Sequence, residues 1–177
     1  MIRAGYDRSA AGYDEVFRAL QVEKYEALLR TEPPARGALL DLGAGTGLLA
    51  EFLGRCFAVA PARLFGLDLS AEMLKAARAR GMPAVQGDLE RLPFKDRSFA
   101  GVYAFTVLRI YPEDEAGEAR ALSEIARVLQ RGGALAVSVL ERGYDEGFPE
   151  RLRKNGLLPG APLPCGQDVG FVCVRGA

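Results

Sequence analysis

The sequence predicts an α/β fold, a mostly parallel sheet with helices on both faces, and three observations carry that prediction. Short apolar runs alternate with stretches of helical period along most of the 177 residues. The first run, Leu39-Leu40-Asp41-Leu42, enters a turn with glycine at alternate positions, Gly43, Gly45 and Gly47, before the apolar stretch Leu48 to Leu53. Glycine lets such a turn close tightly and approach a ligand with no Cβ between, and the free N–H groups of the following helix point back at it. Two later runs end in acidic residues, Asp68 and Asp88, where the tips of parallel strands would meet a ligand.

The elements follow in order. Val16, Phe17, Leu20, Tyr25, Leu28 and Leu29 recur at helical spacing within residues 11–30, and Thr31-Glu32-Pro33-Pro34 ends that helix. Gly37 to Leu42 reads as the first strand and Gly47 to Phe57 as the helix after it. Arg63 to Asp68 is a second strand. Ser70 then has the chemistry of an N-cap for a helix running to about Arg80, with Met73, Leu74 and Ala77 on one face. Gly81-Met82-Pro83 breaks that helix, and Ala84 to Gln86 forms a short third strand ending at Gly87-Asp88. Phe99 to Phe105 is a fourth strand, Glu113 to Gln130 a long helix ended by Gly132-Gly133, and Ala134 to Leu140 a fifth strand. Residues 145–156 read as one more helix, Leu157 to Gln167 as loop or edge strand, and Val169 to Val174 as the closing strand. Only a proline-rich segment separates the last two candidate strands, too little for a crossover helix, so the closing strand is expected to run antiparallel beside the fifth. The whole chain, 1–177, reads as one domain with an N-terminal helical cap over 1–34 and a core over 35–177.

Composition narrows the function classes. Lys+Arg and Asp+Glu are both 23, and this zero balance argues against a dedicated nucleic-acid or membrane-surface binder. The basic cluster Arg151, Arg153, Lys154 reads as a solvated helix face. No apolar run is long enough to span a membrane, and Met1 to Asp7 lacks the apolar core of a signal peptide, so a cytoplasmic location is expected. Cys56, Cys165 and Cys173 are too scattered for a disulfide framework or a zinc site. Histidine is absent, which removes Ser-His-Asp and Cys-His catalysis together with every histidine metal ligand, and no metal is expected.

The turn Gly43-Ala44-Gly45-Thr46-Gly47 is GxGxG, its third glycine one position short of the dinucleotide pattern. Asp68, 25 residues after Gly43, can accept both hydroxyls of a ribose lying across the strand ends. Asp88 can receive an exocyclic amine such as adenine N6; either aspartate is also an ordinary turn former. Asp41 puts negative charge beside the turn, repelling a pyrophosphate and welcoming an ammonium.

On these residues the chain resembles the class I S-adenosylmethionine-dependent methyltransferases, especially the small-molecule group related to quinone-biosynthesis C-methyltransferases. Residues 39–47 are similar to the family's first motif, Gly66-Leu67-Asp68-Leu69-Ser70-Ala71-Glu72-Met73-Leu74 to its second-strand motif, and Gly87-Asp88-Leu89-Glu90-Arg91-Leu92-Pro93-Phe94 to its adenine-side motif. Residues 124–135 resemble its helix-to-fifth-strand passage, and Ala10-Ala11-Gly12-Tyr13-Asp14 its N-terminal Tyr-Asp segment. The resemblance implies a Rossmann-like three-layer αβα sandwich with seven strands in the order 3-2-1-4-5-7-6, strand 7 antiparallel. It implies S-adenosylmethionine as cofactor, S-adenosylhomocysteine as product, and a small-molecule acceptor bound by a monomer or homodimer. Gly43, Ala44, Gly45 and Gly47 would lie along the methionyl part, Asp41 near its ammonium, and Asp68 on the ribose. Leu69 and Met73 would flank the adenine, Gly87, Asp88 and Leu89 would meet its edge, and Ala104 and Phe105 would lie near the transferable methyl. Tyr13, of the N-terminal Tyr-Asp segment, would be among the cofactor-binding residues.

Methyl transfer from a sulfonium needs alignment and exclusion of water more than acid–base chemistry. With no histidine, base candidates are Tyr13, Tyr103, Tyr111, Glu141 and Asp145, and none stands out. Arg109, where relatives often carry a histidine nearby, is read first as a surface charge and second as a contact for an anionic substrate. Ala100 replaces a common aspartate, the Asn/Asp-Pro-Pro-aromatic tetrapeptide is absent after Tyr103, and Pro164-Cys165 is read as a loop dipeptide. The alternatives are a cofactor-binding or scaffolding subunit without catalysis, and a methyltransferase acting on protein or RNA. An NAD-dependent oxidoreductase would need GxGxxG, a second domain and a proton relay that this sequence lacks.

Overall fold

A computed structural model describes residues 12–109 and 114–176. Tyr111 and the start of the Tyr-Asp segment, Ala10-Ala11, lie outside the described residues. Helix α1 (Tyr13–Thr31) is followed by β1 (Leu39–Leu42), α2 (Leu48–Phe57), β2 (Leu64–Asp68), α3 (Ala71–Ala79), β3 (Ala84–Gln86) and β4 (Phe99–Phe105). Then come α4 (Glu115–Val128), β5 (Leu129–Leu140), α5 (Phe148–Lys154), β6 (Leu157–Pro159), β7 (Leu163–Cys165) and β8 (Asp168–Arg175). Ser70 caps α3 as its chemistry predicts, its hydroxyl accepting from the Met73 N–H at 3.2 Å.

The strands form a single sheet in the order β3-β2-β1-β4-β5-β8-β6, with β7 also paired to β8. Pairings from β3 to β5 are parallel, and β8 runs antiparallel to β5 from Ala134↔Val174 to Leu140↔Asp168. This is the expected strand order with an antiparallel closing strand, but the sheet has eight strands instead of seven. The edge splits into two short strands, β6 against the carboxyl-terminal end of β8 and β7 against its start. Between them lie Gly160-Ala161-Pro162, and Pro162 has no N–H to donate to a ladder.

A second departure concerns the passage into β5. The helix stops at Val128, two residues short of the expected end, and Leu129 pairs directly with Phe99. The register then shifts before Gly101↔Ala134, with Gly132 at φ +71° taking up the extra length. Here pairing to β4 overrides helix propensity.

Alternate residues of the central strands feed two cores. Leu40, Leu42, Val102 and Ala104 pack with Leu122 and Ile125 of α4 and Phe148 and Leu152 of α5. Leu39, Tyr103 and Phe105 pack with Leu28 of α1, Leu49 and Leu53 of α2 and Leu74 of α3. Every residue of β4 is buried, which is why Phe99 to Phe105 reads as an unbroken apolar run. Not all the apolar spacing of α1 serves the core: Val16 is 65% exposed. Among the described residues, no helix is long and apolar enough to cross a membrane.

Gly47, which precedes α2, has φ +85°, and a Cβ there would lie 3.1 Å from the Cα of Ala77 in α3. Close helix packing and left-handed backbone both require glycine. Gly47→Ala is expected to destabilise the fold by about 1–3 kcal/mol, read as a fall in the urea midpoint; an unchanged midpoint would contradict this packing role.

Candidate functional site

The strand order reverses direction between β1 and β4, so the carboxyl ends of the two sheet halves diverge and leave a crevice there. The glycine turn crosses the β1 side of this crevice. Its first amides, from Gly43 and Ala44, both donate to the Leu67 carbonyl, at 2.8 and 3.0 Å. Gly43 and Gly45 take φ +71° and +52°, and a Cβ on Gly43 would stand 2.1 Å from Cγ1 of Val107. Any other residue at position 43 would have to displace the Val107 side chain and adopt a positive φ.

Asp68 ends β2 half-buried beside that turn. Its Oδ2 accepts from the Gly45 N–H at 2.9 Å and its Oδ1 from the Ser70 N–H at 2.8 Å. The carboxylate therefore ties the glycine turn to the start of α3. Asp88, exposed at the end of β3, accepts from the Glu90 N–H at 2.9 Å, which also makes it a turn former. Asp41 is 4% exposed, and burial, reinforced by the nearby Asp68 charge, holds its carboxyl well above the usual carboxylate range.

These groups open onto one cavity of about 960 Å³. Of the residues singled out in the sequence, Tyr13, Asp41, Gly43, Ala44, Gly45, Asp68, Leu69, Met73, Gly87, Asp88, Leu89, Phe105 and Arg109 line it. Gly47 and Ala104 do not. Gly47 is turned against α3, and Ala104, fully buried, faces the α4 side of the sheet because its neighbour Phe105 faces the other.

Arg109 is no surface charge. Its side chain is 7% exposed; Nε donates to the Gly143 carbonyl at 2.5 Å, Nη1 pairs with Glu118, and Nη2 lies 2.7 Å from Asp145. Arg151 joins the same cluster, 2.6 Å from Glu118 and 2.9 Å from Asp145, so only Arg153 and Lys154 of the basic cluster are exposed. Two of the partners come from α4 and the segment before α5, which sequence spacing around Arg109 does not reveal.

Among the described base candidates, only Tyr13 borders the cavity; its hydroxyl accepts from Gln21 Nε2 at 3.3 Å. Tyr103 is buried on the α1 side, and burial, with Asp41 adding to it, pushes its phenol well up. Asp145 is held below the usual carboxylate range by Arg151, which suits an ion-pair partner better than a base. Cys165 is a buried residue of β7, not a loop residue, and burial pushes its thiol up to about 11. It is no ready nucleophile at neutral pH.

The sequence reading missed the opposite wall of the cavity. Phe17, Leu20, Gln21, Lys24 and Tyr25 of α1 face Phe105, Thr106 and Asp168 there. One signal was present: Lys24 falls one residue before Tyr25 and four before Leu28, on the stripe that turns inward.

The methyltransferase domain family matches residues 40–137 of this chain. A malonyl-[acyl-carrier protein] O-methyltransferase of Herminiimonas arsenicoxydans is 36% identical over 161 residues, 87% of this chain and 58% of that protein. A demethylmenaquinone methyltransferase of Corynebacterium kroppenstedtii is 39% identical over 108 residues, 61% of this chain and 44% of that protein. The chain thus spans about half the length of these curated relatives. Among solved structures, a Haloferax volcanii methyltransferase in complex with the Trm112 methyltransferase activator superposes with a TM-score of 0.80, covering 97% of this chain and 98% of that one. At 22% identity that likeness is one of fold. With the family match running from β1 to β5 over the glycine turn and both strand-end aspartates, the chain belongs to the S-adenosylmethionine-dependent methyltransferases.

Proposed function

We propose that this chain methylates a small molecule held in the cavity, using S-adenosylmethionine bound across the ends of β1, β2 and β3. The observation that carries this reading is continuity. A polar half with Asp41, Asp68 and the glycine turn opens directly onto an apolar half with Phe17, Leu20 and Phe105. The residues suit the cofactor: the turn excludes a Cβ at Gly43, Asp68 stands at the end of β2, and among the described residues nothing positive shifts the buried Asp41 carboxyl as an ammonium would. When bound, the cofactor would supply an electrophilic methyl to the acceptor's lone pair, its sulfur taking back the carbon–sulfur pair as a neutral thioether. The chain's own part is to align the acceptor and keep water out, with α1 closing one side of the cavity. The names of the curated relatives, one for a malonyl carrier and one for a quinone precursor, support an acceptor that is small or presents a small group.

Calorimetric titration with S-adenosylmethionine and S-adenosylhomocysteine tests the reading. Neither heat nor a thermal shift at millimolar ligand would sink it. Binding with no methyl transfer to any member of a broad metabolite panel would favour the non-catalytic alternative.

Asp41 adds a pH prediction. In the free protein its raised pKa keeps a proton on the carboxyl above the ordinary carboxylate range. An ammonium beside it favours the charged form, so ligand binding should release that proton. S-adenosylhomocysteine affinity should therefore rise with pH from the ordinary carboxylate range up to the raised value, then level off. In Asp41→Asn this rise should vanish, and titrations in buffers of different ionisation heat should show no proton release. The same sign check gives the effect on folding: a raised folded pKa disfavours the native state as pH rises through it. Asp41→Asn should therefore increase the melting temperature of the free protein at neutral pH.

A further inference from the structure

The wall opposite the glycine turn carries a buried ion pair that the reading above does not use. Lys24 is 5% and Asp168 3% exposed, in a cavity wall shared with Phe17, Leu20, Gln21, Tyr25 and Phe105. The Lys24 ammonium meets Thr106 Oγ1 at 2.5 Å and stands 3.1 Å from Asp168 Oδ1. Asp168 Oδ2 accepts from Thr106 Oγ1 at 2.6 Å and from Ser138 Oγ at 2.7 Å. Three strand ends, of β4, β5 and β8, thus fix one ammonium.

Two features mark the pair as incomplete among the described residues. An ammonium has three hydrogens, and the one hydrogen bond it makes here is to Thr106. Asp168 Oδ1, 3.1 Å from the ammonium, receives no well-aligned hydrogen bond from the described residues. Desolvating an ion pair is costly unless its remaining hydrogens find acceptors. The pair also presents a definite sign to the cavity. The Asp168 side chain is fully sealed, whereas that of Lys24, which lines the cavity, keeps 7% of its surface, so the cation is the more accessible partner.

We infer that Lys24 anchors the methyl acceptor through a carboxylate, with Thr106 and Asp168 as positioning residues and the acceptor's apolar body along Phe17, Leu20 and Phe105. This rests on the methyltransferase reading of the same cavity. A carboxylate has two oxygens: Lys24 holds one and the other is left to attack. An acceptor with a single oxygen would have its nucleophile tied to the ammonium. A carboxylate also brings its own electron pair, so no proton leaves, in keeping with a cavity wall that has no histidine and whose nearby phenol, Tyr25, is pushed well up by burial. A cationic amine would face the ammonium and be repelled. Among the described residues, the other cation on the cavity, Arg109, is engaged by Glu118, Asp145 and the Gly143 carbonyl.

The test compares octanoate with octan-1-ol, titrated calorimetrically into protein saturated with S-adenosylhomocysteine. Octanoate should bind about ten-fold more tightly than the alcohol, the size expected of a charge-assisted hydrogen bond in a dry site. In Lys24→Met/Asp168→Asn, which removes both charges together, that preference should vanish while affinity for S-adenosylhomocysteine stays within about two-fold. No octanoate preference in the unaltered protein, or a preference that survives in the double variant, overturns the inference. If the double variant does not fold, Lys24→Arg serves. It keeps the charge on a longer, planar head, and should alter octanoate affinity but not octan-1-ol affinity; equal effects on both ligands overturn the inference too. Failure of S-adenosylhomocysteine to bind the unaltered protein would instead sink the reading of the cofactor half.

Discussion

Asp68→Ala should weaken S-adenosylhomocysteine binding by about ten- to 150-fold, the equivalent of about 1.5–3 kcal/mol. In the free protein this carboxylate accepts from the Gly45 and Ser70 amides, at 2.9 and 2.8 Å, so it holds the glycine turn against the capping residue of α3. A ribose lying across the end of β2 would draw on the same oxygens. Alanine removes both the acceptor for the sugar and the tie that shapes the turn. Asp68→Asn separates the two effects. An amide can still accept one backbone hydrogen bond, so the turn should survive better than sugar binding does. Calorimetry measures the affinity, and a thermal melt of the free protein measures the turn. Unchanged affinity in Asp68→Ala would show that the ribose lies elsewhere.

The largest effect on stability is expected at Glu118. Its side chain is 3% exposed and that of Arg109 7%, and Glu118 also meets Arg151 at 2.6 Å. Glu118→Ala leaves a buried guanidinium with half its compensation gone, a change worth about 3–5 kcal/mol. For a chain of this size that corresponds to a fall in melting temperature of roughly 6–20 °C. Glu118→Ala combined with Arg109→Met removes both charges and should recover part of the loss. A single-variant loss below about 1 kcal/mol would mean that the pair is solvated like a surface bridge. The cluster matters to the site because Arg109, Gly117 and Glu118 form one border of the cavity, so its collapse should also cost acceptor binding.

Several features were legible because they are local. The glycine pattern needs only consecutive residues: positive φ at Gly43 and Gly45 follows from a strand that must turn within a few residues into a helix. Ser70 caps α3 through an amide three residues on. The aspartates at the ends of β2 and β3 sit where alternation of strands and helices puts them, and the antiparallel return of β8 follows from a connection too short for a helix. The burial of Arg109 was not legible, because Asp145 and Glu118 reach it from separate elements. Nor was the inward turn of Gly47 and Ala104, which depends on the face each residue takes after the chain has packed.

By itself, then, the sequence determined the alternation of strands and helices, the glycine turn and the acidic strand ends, all set by backbone conformation and short-range hydrogen bonding, while the strand order came from the resemblance to a known family. Only the tertiary structure decided which side chains share the far wall of the cavity. Lys24 meets Thr106 across 82 residues and Thr106 meets Asp168 across 62 more, from a helix, the residue after β4 and the start of β8, two strands that come near each other only through β5 between them. Such a buried polar cluster leaves almost no local pattern. Its energy comes from desolvation and from partners distant in the chain, neither of which exists until the protein has folded.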